Sequence, residues 1–224
     1  MAKLTWHGVG ERVLEAGVSE VALFPMGTST YDKGVAWNGV TAINENPSGA
    51  DVTDLYADNI KYASMRAAEK FGFTIEAFTY PDEWAECDGS KEAETGVFLS
   101  QQGRKAFGLV YKSQIGDAEH PSMDKGYKLH IIYNSTASPS SRSYTTINEN
   151  PDAISFSWEA NSTPVAVTNY KATSEIVIDS TKADADDLAT LLETIYGRDA
   201  DTEHSIAALD PTLPDPDTVL GMFA

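Results

Sequence analysis

The stretch Phe71-Gly-Phe-Thr-Ile-Glu-Ala-Phe-Thr79 decides the fold. Phe71, Phe73, Ile75 and Ala77 recur at every second position, with Thr74 and Glu76 between them. A period of two puts the apolar set on one face of a strand and the polar set on the other. The pattern returns through the middle of the chain. Tyr127, Leu129, Ile131 and Tyr133 alternate with Lys128, His130 and Ile132. Ile154, Phe156 and Trp158 alternate with Ser155, Ser157 and Glu159, while Phe107, Leu109 and Tyr111, and then Ile176 and Ile178, repeat the theme. Turn formers separate the runs at Cys87-Asp-Gly-Ser90, Gly116-Asp117, His120-Pro121 and Ser138-Pro-Ser-Ser141. Repeated strands of this kind predict a mainly β, antiparallel sandwich or open barrel.

Two helical segments interrupt the strands. Pro81-Asp-Glu-Trp-Ala85 fits a single turn, with proline at the first helical position and acids at the positive end of the dipole. Leu188, Leu191, Leu192 and Ile195 fall at i, i+3, i+4 and i+7, one apolar stripe. Asp184 is placed to cap its start, and Gly197 to end it in the left-handed conformation. The expectation is one helix over about 184–196, packed on a sheet face. After Gly197 the period dissolves among Pro211, Pro214 and Pro216 and the acids Asp199, Asp201, Glu203, Asp210, Asp215 and Asp217. That composition predicts an extended acidic arm over 198–224, following a β domain with an N-terminal arm over 1–197. The arm ends in an apolar tip, Val219-Leu-Gly-Met-Phe223, which is useful only if it docks.

With 224 residues, 42% of them hydrophobic and 22% charged, the chain can bury an ordinary core. No run approaches the roughly 20 apolar residues of a membrane-spanning helix. MAKLTWHGVGERVLEAG lacks an apolar run before a cleavage site, so no secretory signal is expected, and the single Cys87 agrees with a reducing compartment. The formal charge is −18, from 34 acidic against 16 basic residues. Sustained grip on nucleic acid needs Lys and Arg to displace counterions, so that class is disfavoured. From Asp179 onward 11 acidic residues face 2 basic ones, a net of −9 and half the total. Such an end is either a solvated surface or one that repels other polyanions.

Residues for chemistry are sparse. No Gly-x-Ser-x-Gly elbow, phosphate-cradling glycine loop or zinc spacing occurs, and Glu86 and Asp88 beside Cys87 disfavour a thiolate. Asp199-x-Asp201-x-Glu203 with Asp210 has the outline of a calcium loop, but His204 stands where the sharp-turn glycine belongs and the final Glu is missing. No catalytic residue, cofactor or metal is therefore expected, and the chain is not read as an enzyme. Trp6, Trp37, Trp84 and Trp158 are core or interface anchors, or stacking platforms for sugars.

Several contiguous stretches resemble the major tail (tail-tube) proteins of long, non-contractile-tailed bacteriophages and their prophages. They are Leu55-Tyr-Ala-Asp-Asn-Ile-Lys-Tyr62, Thr74 to Gly89, Gln102 to Tyr111, Gly126 to His130, Ser143 to Asn148 running into Ala153 to Glu159, and Ser174 to Gly197. Together they cover most of residues 1–197 in order, but not the arm beyond. Propensity alone would make Ala67-Ala68-Glu69-Lys70 helical, whereas the resemblance implies a strand over 61–70 that turns near Phe71-Gly72. It also implies a tail-tube-type β-sandwich with a flanking helix, assembling as hexameric rings stacked into a hollow tube in the virion, after synthesis in the bacterial cytoplasm. Partners would be other copies, the tape-measure protein, and distal-tail and tail-terminator proteins, with DNA passing through unbound. On that reading Ser155, Ser157 and Glu159 are a candidate lumen face, since Ile154, Phe156 and Trp158 must point to the core. The alternative is a cytosolic β-sandwich module that binds carbohydrate or protein.

One repeat stands out: Ile43-Asn-Glu-Asn-Pro47 returns as Ile147-Asn-Glu-Asn-Pro151. The flanks differ, which argues against a duplicated domain, and Asn and Pro are turn formers. Each copy reads as a joint where a strand, ending in Thr-x-Ile, leaves the sheet. The first opens a candidate inter-subunit loop with Asn44, Glu45, Asn46, Pro47, Asp51 and Asp54; the second leads into the Ile154 strand.

Overall fold

The alternating runs form strands in a computed structural model that describes residues 4, 6, 8, 11–117, 122–147, 153–201, 204 and 206–224. In chain order the elements are β1 (Val13–Pro25), β2 (Val35–Ala36), β3 (Val40–Glu45), β4 (Ser48–Gly49), β5 (Val52–Ala57), β6 (Ile60–Arg66) and β7 (Glu69–Ala77). There follow α1 (Trp84–Cys87), β8 (Lys91–Glu94), β9 (Val97–Leu99), β10 (Phe107–Asp117), β11 (Gly126–Ala137), β12 (Phe156–Ser162), β13 (Glu175–Asp179), α2 (Ala185–Tyr196) and α3 (Pro216–Met222). The chain is mainly β, antiparallel and sandwich-like, as its alternation predicts.

The main sheet runs β2-β1-β10-β11-β12-β7-β3. β11 is its fork: Lys128 to Ile132 pair with β13, and Ser135 to Ala137 pair with β12. The sheet curls until β1 lies against β3, and the Trp37 amide donates to the Val21 carbonyl at 2.8 Å. The concave side encloses a core of Leu23, Trp37, Phe73, Ile75, Trp84, Phe107, Leu109, Ile132 and Trp158. Trp84 is its hub, with ring centroids 4.6 Å from Trp37, 5.0 Å from Phe107 and 5.4 Å from Trp158. Its anchor α1 is the single turn anticipated near Pro81, set slightly later in the chain.

A second core lies on the convex side, beneath α2 and α3. Phe24, Val110, Leu129, Ile131, Tyr133 and Ile178 meet Leu188, Leu191 and Ile195 of α2 and Leu213 and Val219 of the arm. So β10, β11 and the Val21–Pro25 half of β1 are buried on both faces, which the apparent alternation of polar residues understates. Asp184 caps α2 as expected, its carboxylate accepting from Asp186 N at 3.0 Å and Asp187 N at 3.3 Å, worth about 1 kcal/mol. Gly197 ends the helix at φ 79° and ψ 174°, a region only glycine visits readily, rather than in the left-handed helical well.

Several local readings change. The strand from Lys61 ends at Arg66, the break falls at Ala67-Ala68, and Phe71-Gly72 lies inside β7 rather than at a turn. Gly116-Asp117 closes β10 instead of turning. The arm is neither helix-free nor loose: Arg198 pairs with Leu209, and α3 forms behind its cap Asp215 and Pro216. Thr145 to Ile147 belongs to no strand, so the second joint does not end one, and the rest of that repeat lies outside the described residues.

Candidate functional site

The strand pair β5–β6 leaves the sheet as a ribbon. Ser48↔Lys70 and Gly49↔Glu69 join it to β7, and the ladder continues from Val52↔Arg66 out to Ala57↔Ile60. Asp58 and Asn59 close the end, at φ 51° and 62°. A type I′ two-residue hairpin turn demands positive φ at both central positions, and Asp and Asn tolerate it best after glycine. The ribbon pairs only with itself, yet carries Val52, Leu55, Tyr56, Ile60, Tyr62 and Met65, between 42% and 76% exposed. Val52 and Leu55 are three positions apart and so point to opposite faces. A second hairpin, β8–β9, adds exposed Val97, Phe98 and Leu99.

Two of the loop candidates, Asn44 and Asn46, meet the lumen candidates on one sheet face. Ser157 and Glu159 are exposed while Phe156 is half-buried and Trp158 buried, as the alternation predicts. Ser155 is exposed just before β12. Glu159 faces Thr74 and Ser157 faces Glu76 across the β12–β7 ladder; Thr74 in turn faces Asn44 of β3. Asn44 Nδ2 donates to Glu76 Oε1 at 3.3 Å, and Asn46 Nδ2 to Thr74 Oγ1 at 3.4 Å. Among the described residues α2 and α3 pack over β1, β10, β11 and β13, and on this half of the convex face Asn44, Ser157 and Glu159 stay exposed, with Thr74 and Glu76 half-buried between them.

The loop candidates scatter. Pro47 and Asp51 are exposed at the ribbon's base. Asp54 lies within β5, where Lys61 and Ser64 hold its carboxyl below the usual range. Glu45 turns the other way, into the mouth of the curled sheet, to accept a hydrogen bond from Tyr111. There it joins His130 and Glu175, the group among the described residues whose donor atoms, within 4.8 Å of one another, could hold a metal ion. Sequence reasoning missed this group because its members come from β3, β11 and β13, with no spacing in the chain to betray them. His130 had only appeared as the polar alternate of a strand.

Other candidates resolve as structure. Cys87 is fully buried, and that burial more than its acidic neighbours pushes the thiol up to about 12. Trp37, Trp84 and Trp158 are core, leaving Trp6 as the exposed tryptophan. In the calcium-like stretch Asp201 pairs with His204 at 2.7 Å, while Glu203 lies outside the described residues. No described helix is long and apolar enough to cross a membrane. No family model and no curated protein matches this chain.

Proposed function

We propose that this chain is the repeating subunit of a bacteriophage tail tube of the long, non-contractile type. Copies join in hexameric rings, the rings stack, and the genome passes through the bore. The tape-measure, distal-tail and tail-terminator proteins are the remaining partners. One observation carries the reading: the ribbon Val52–Arg66 projects from the sheet with large apolar side chains on both faces and no cover of its own. A lone two-stranded ribbon is marginal in water. Exposed apolar surface of this extent marks an interaction site, and a further copy of the chain is the occupant that a head-to-tail ring supplies.

The polar half of the convex face supports the same reading. Asn44, Thr74, Glu76, Ser157 and Glu159 present carboxylates, hydroxyls and an amide, with no lysine, arginine or ring among them. Such a surface repels phosphate and offers bases nothing to stack on, which suits the wall of a DNA conduit. The test is electron microscopy of the purified protein over a range of concentration and salt. Rings or tubes of uniform diameter are expected; a strict monomer under every condition overturns the proposal.

A further inference from the structure

We infer a divalent transition-metal site, of the zinc class, formed by Glu45, His130 and Glu175 at the mouth of the curled sheet. Ser113 has one hydroxyl hydrogen and gives it to Glu15 Oε1. Its oxygen lies 3.1 Å from His130 Nε2, so Nε2 must be the donor in that contact. In a neutral imidazole the other ring nitrogen, Nδ1, then turns its lone pair toward Glu175 Oε1 at 2.8 Å and Glu45 Oε1 at 3.6 Å. An imidazole lone pair and two carboxylate oxygens repel one another unless a positive charge sits among them. A proton on Nδ1 can bond well to only one of the two carboxylates, whereas a cation serves all three donors.

The spacing fits such a cation. Zinc takes histidine nitrogen and carboxylate oxygen at about 2.0–2.2 Å, which places neighbouring tetrahedral ligands about 3.3 Å apart. The two observed separations from Nδ1 bracket that value. Two carboxylates and an imidazole suit zinc and its neighbours better than calcium, which prefers oxygen alone. The surroundings resemble the outer support that metal-ligating histidines have. The chain from Nε2 through Ser113 to Glu15 fixes the tautomer, and Lys128 in turn holds Glu15. Tyr111 donates to Glu45, and its ring lies flat on the imidazole with centroids 4.5 Å apart. His130 and Glu175 keep only 12% and 15% of their side-chain surface exposed, while Glu45, at 34%, leaves an entry path. The inference does not depend on the tail-tube reading.

The experiment titrates chelator-treated, full-length protein with Co²⁺, whose visible absorption reports its ligands, and then displaces it with Zn²⁺. Saturable binding at about one ion per chain is expected, with Zn²⁺ competing and raising the thermal midpoint. His130→Gln should abolish the absorption. Glu45→Gln, at the most exposed ligand, should fold normally and bind weakly. Ser113→Ala, which acts through the imidazole, should weaken binding by about 10–100-fold. A folded wild type without saturable Co²⁺ absorption, which is the outcome if a proton fills the gap, overturns the inference. So does absorption that persists unchanged in Glu45→Gln and His130→Gln.

Discussion

Tyr111 and Glu45, 66 positions apart in the chain, are joined by a hydrogen bond from the phenol to the carboxylate. Burial, and then the nearby carboxylates of Glu45, Glu175 and Glu15, push the phenol's pKa far up, which favours the protonated, donating form. The contact pins the end of β3 across the mouth of the curled sheet, next to the base of the ribbon. Tyr111→Phe keeps the ring on His130 and removes only the donor. Because Glu45 is partly hydrated, a loss of about 1.5 kcal/mol is expected, the low end for bonds to charged groups. Chemical denaturation of the single variants and of Tyr111→Phe with Glu45→Gln reads this directly. Additive effects would mean that the pair does not pin the strand.

Trp37 and Trp84 pack in the same core but differ in one atom's fate. Trp37 Nε1 donates to the Thr79 carbonyl at 2.8 Å, whereas Trp84 Nε1 is buried with no partner among the described residues. Replacing Trp37 by Phe costs both volume and a bond. Replacing Trp84 by Phe costs volume and relieves an unsatisfied donor, a penalty of about 1–3 kcal/mol. Trp84→Phe should therefore be the milder change by about 1 kcal/mol or more, although Trp84 is the more deeply buried. Paired denaturant midpoints decide it; the reverse order would point to an ordered water on Trp84.

The strands and α2 were legible because burial writes a period into the sequence. Phe73, Ile75 and Ala77 need one face, Leu188, Leu191 and Ile195 one stripe, and each lies where its spacing puts it. The convergence of Glu45, His130 and Glu175 was not legible, because curling a sheet joins residues whose separation carries no signal. The ribbon was hidden for a different reason. Val52 and Leu55 are apolar on both faces of one strand, a pattern that answers to a surface outside the chain. The docked arm was masked by its prolines: Pro211, Pro214 and Pro216 forbid a long period, yet Pro216 is well placed to start α3.

Gly108 is the seat of that arm. A Cβ at this position would come within 2.2 Å of Leu213 Cδ2 and 3.3 Å of the Ile132 carbonyl. Gly108→Ala should therefore lift Leu213 from the convex core and speed proteolysis of residues 198–224, with a loss of about 1–3 kcal/mol from overpacking. Leu213→Ala should then cost less in the Gly108→Ala background than in the wild type, because the clashing side chain has already been displaced. Additive costs would place the strain on the β11 backbone instead.

Asp215 ties α3 to acid. Its carboxylate accepts from the Thr218 amide and hydroxyl, each at 2.9 Å, and the amide bond above all holds its pKa below the ordinary 3.8. A depressed carboxyl stabilises the fold above the unfolded value and ceases to do so as the pH falls through the folded one. The Asp215→Ala penalty, about 1 kcal/mol for a lost cap, should thus be full at neutral pH. It should shrink toward zero as the pH drops well below 3.8. Thermal midpoints of both proteins across that range test the sign; a penalty independent of pH would assign the effect to packing.

The ribbon separates stability from assembly. Tyr56 and Tyr62 are 70% and 76% exposed, and among the described residues their side chains make no ring stacking or hydrogen bond, their backbones alone holding the β5–β6 ladder. Exposed substitutions away from special features usually move stability by less than about 0.5 kcal/mol. Tyr56→Ser with Tyr62→Ser should therefore leave the thermal midpoint of the monomer unchanged while abolishing rings or tubes under conditions where the wild type forms them. Removing Phe98 from the β8–β9 hairpin by Phe98→Ser offers a second surface for comparison. Sedimentation velocity and electron microscopy on the same samples give the readout. If both variants assemble like the wild type, the ribbon is not the seam between copies, and the apolar surface it carries belongs to a different partner.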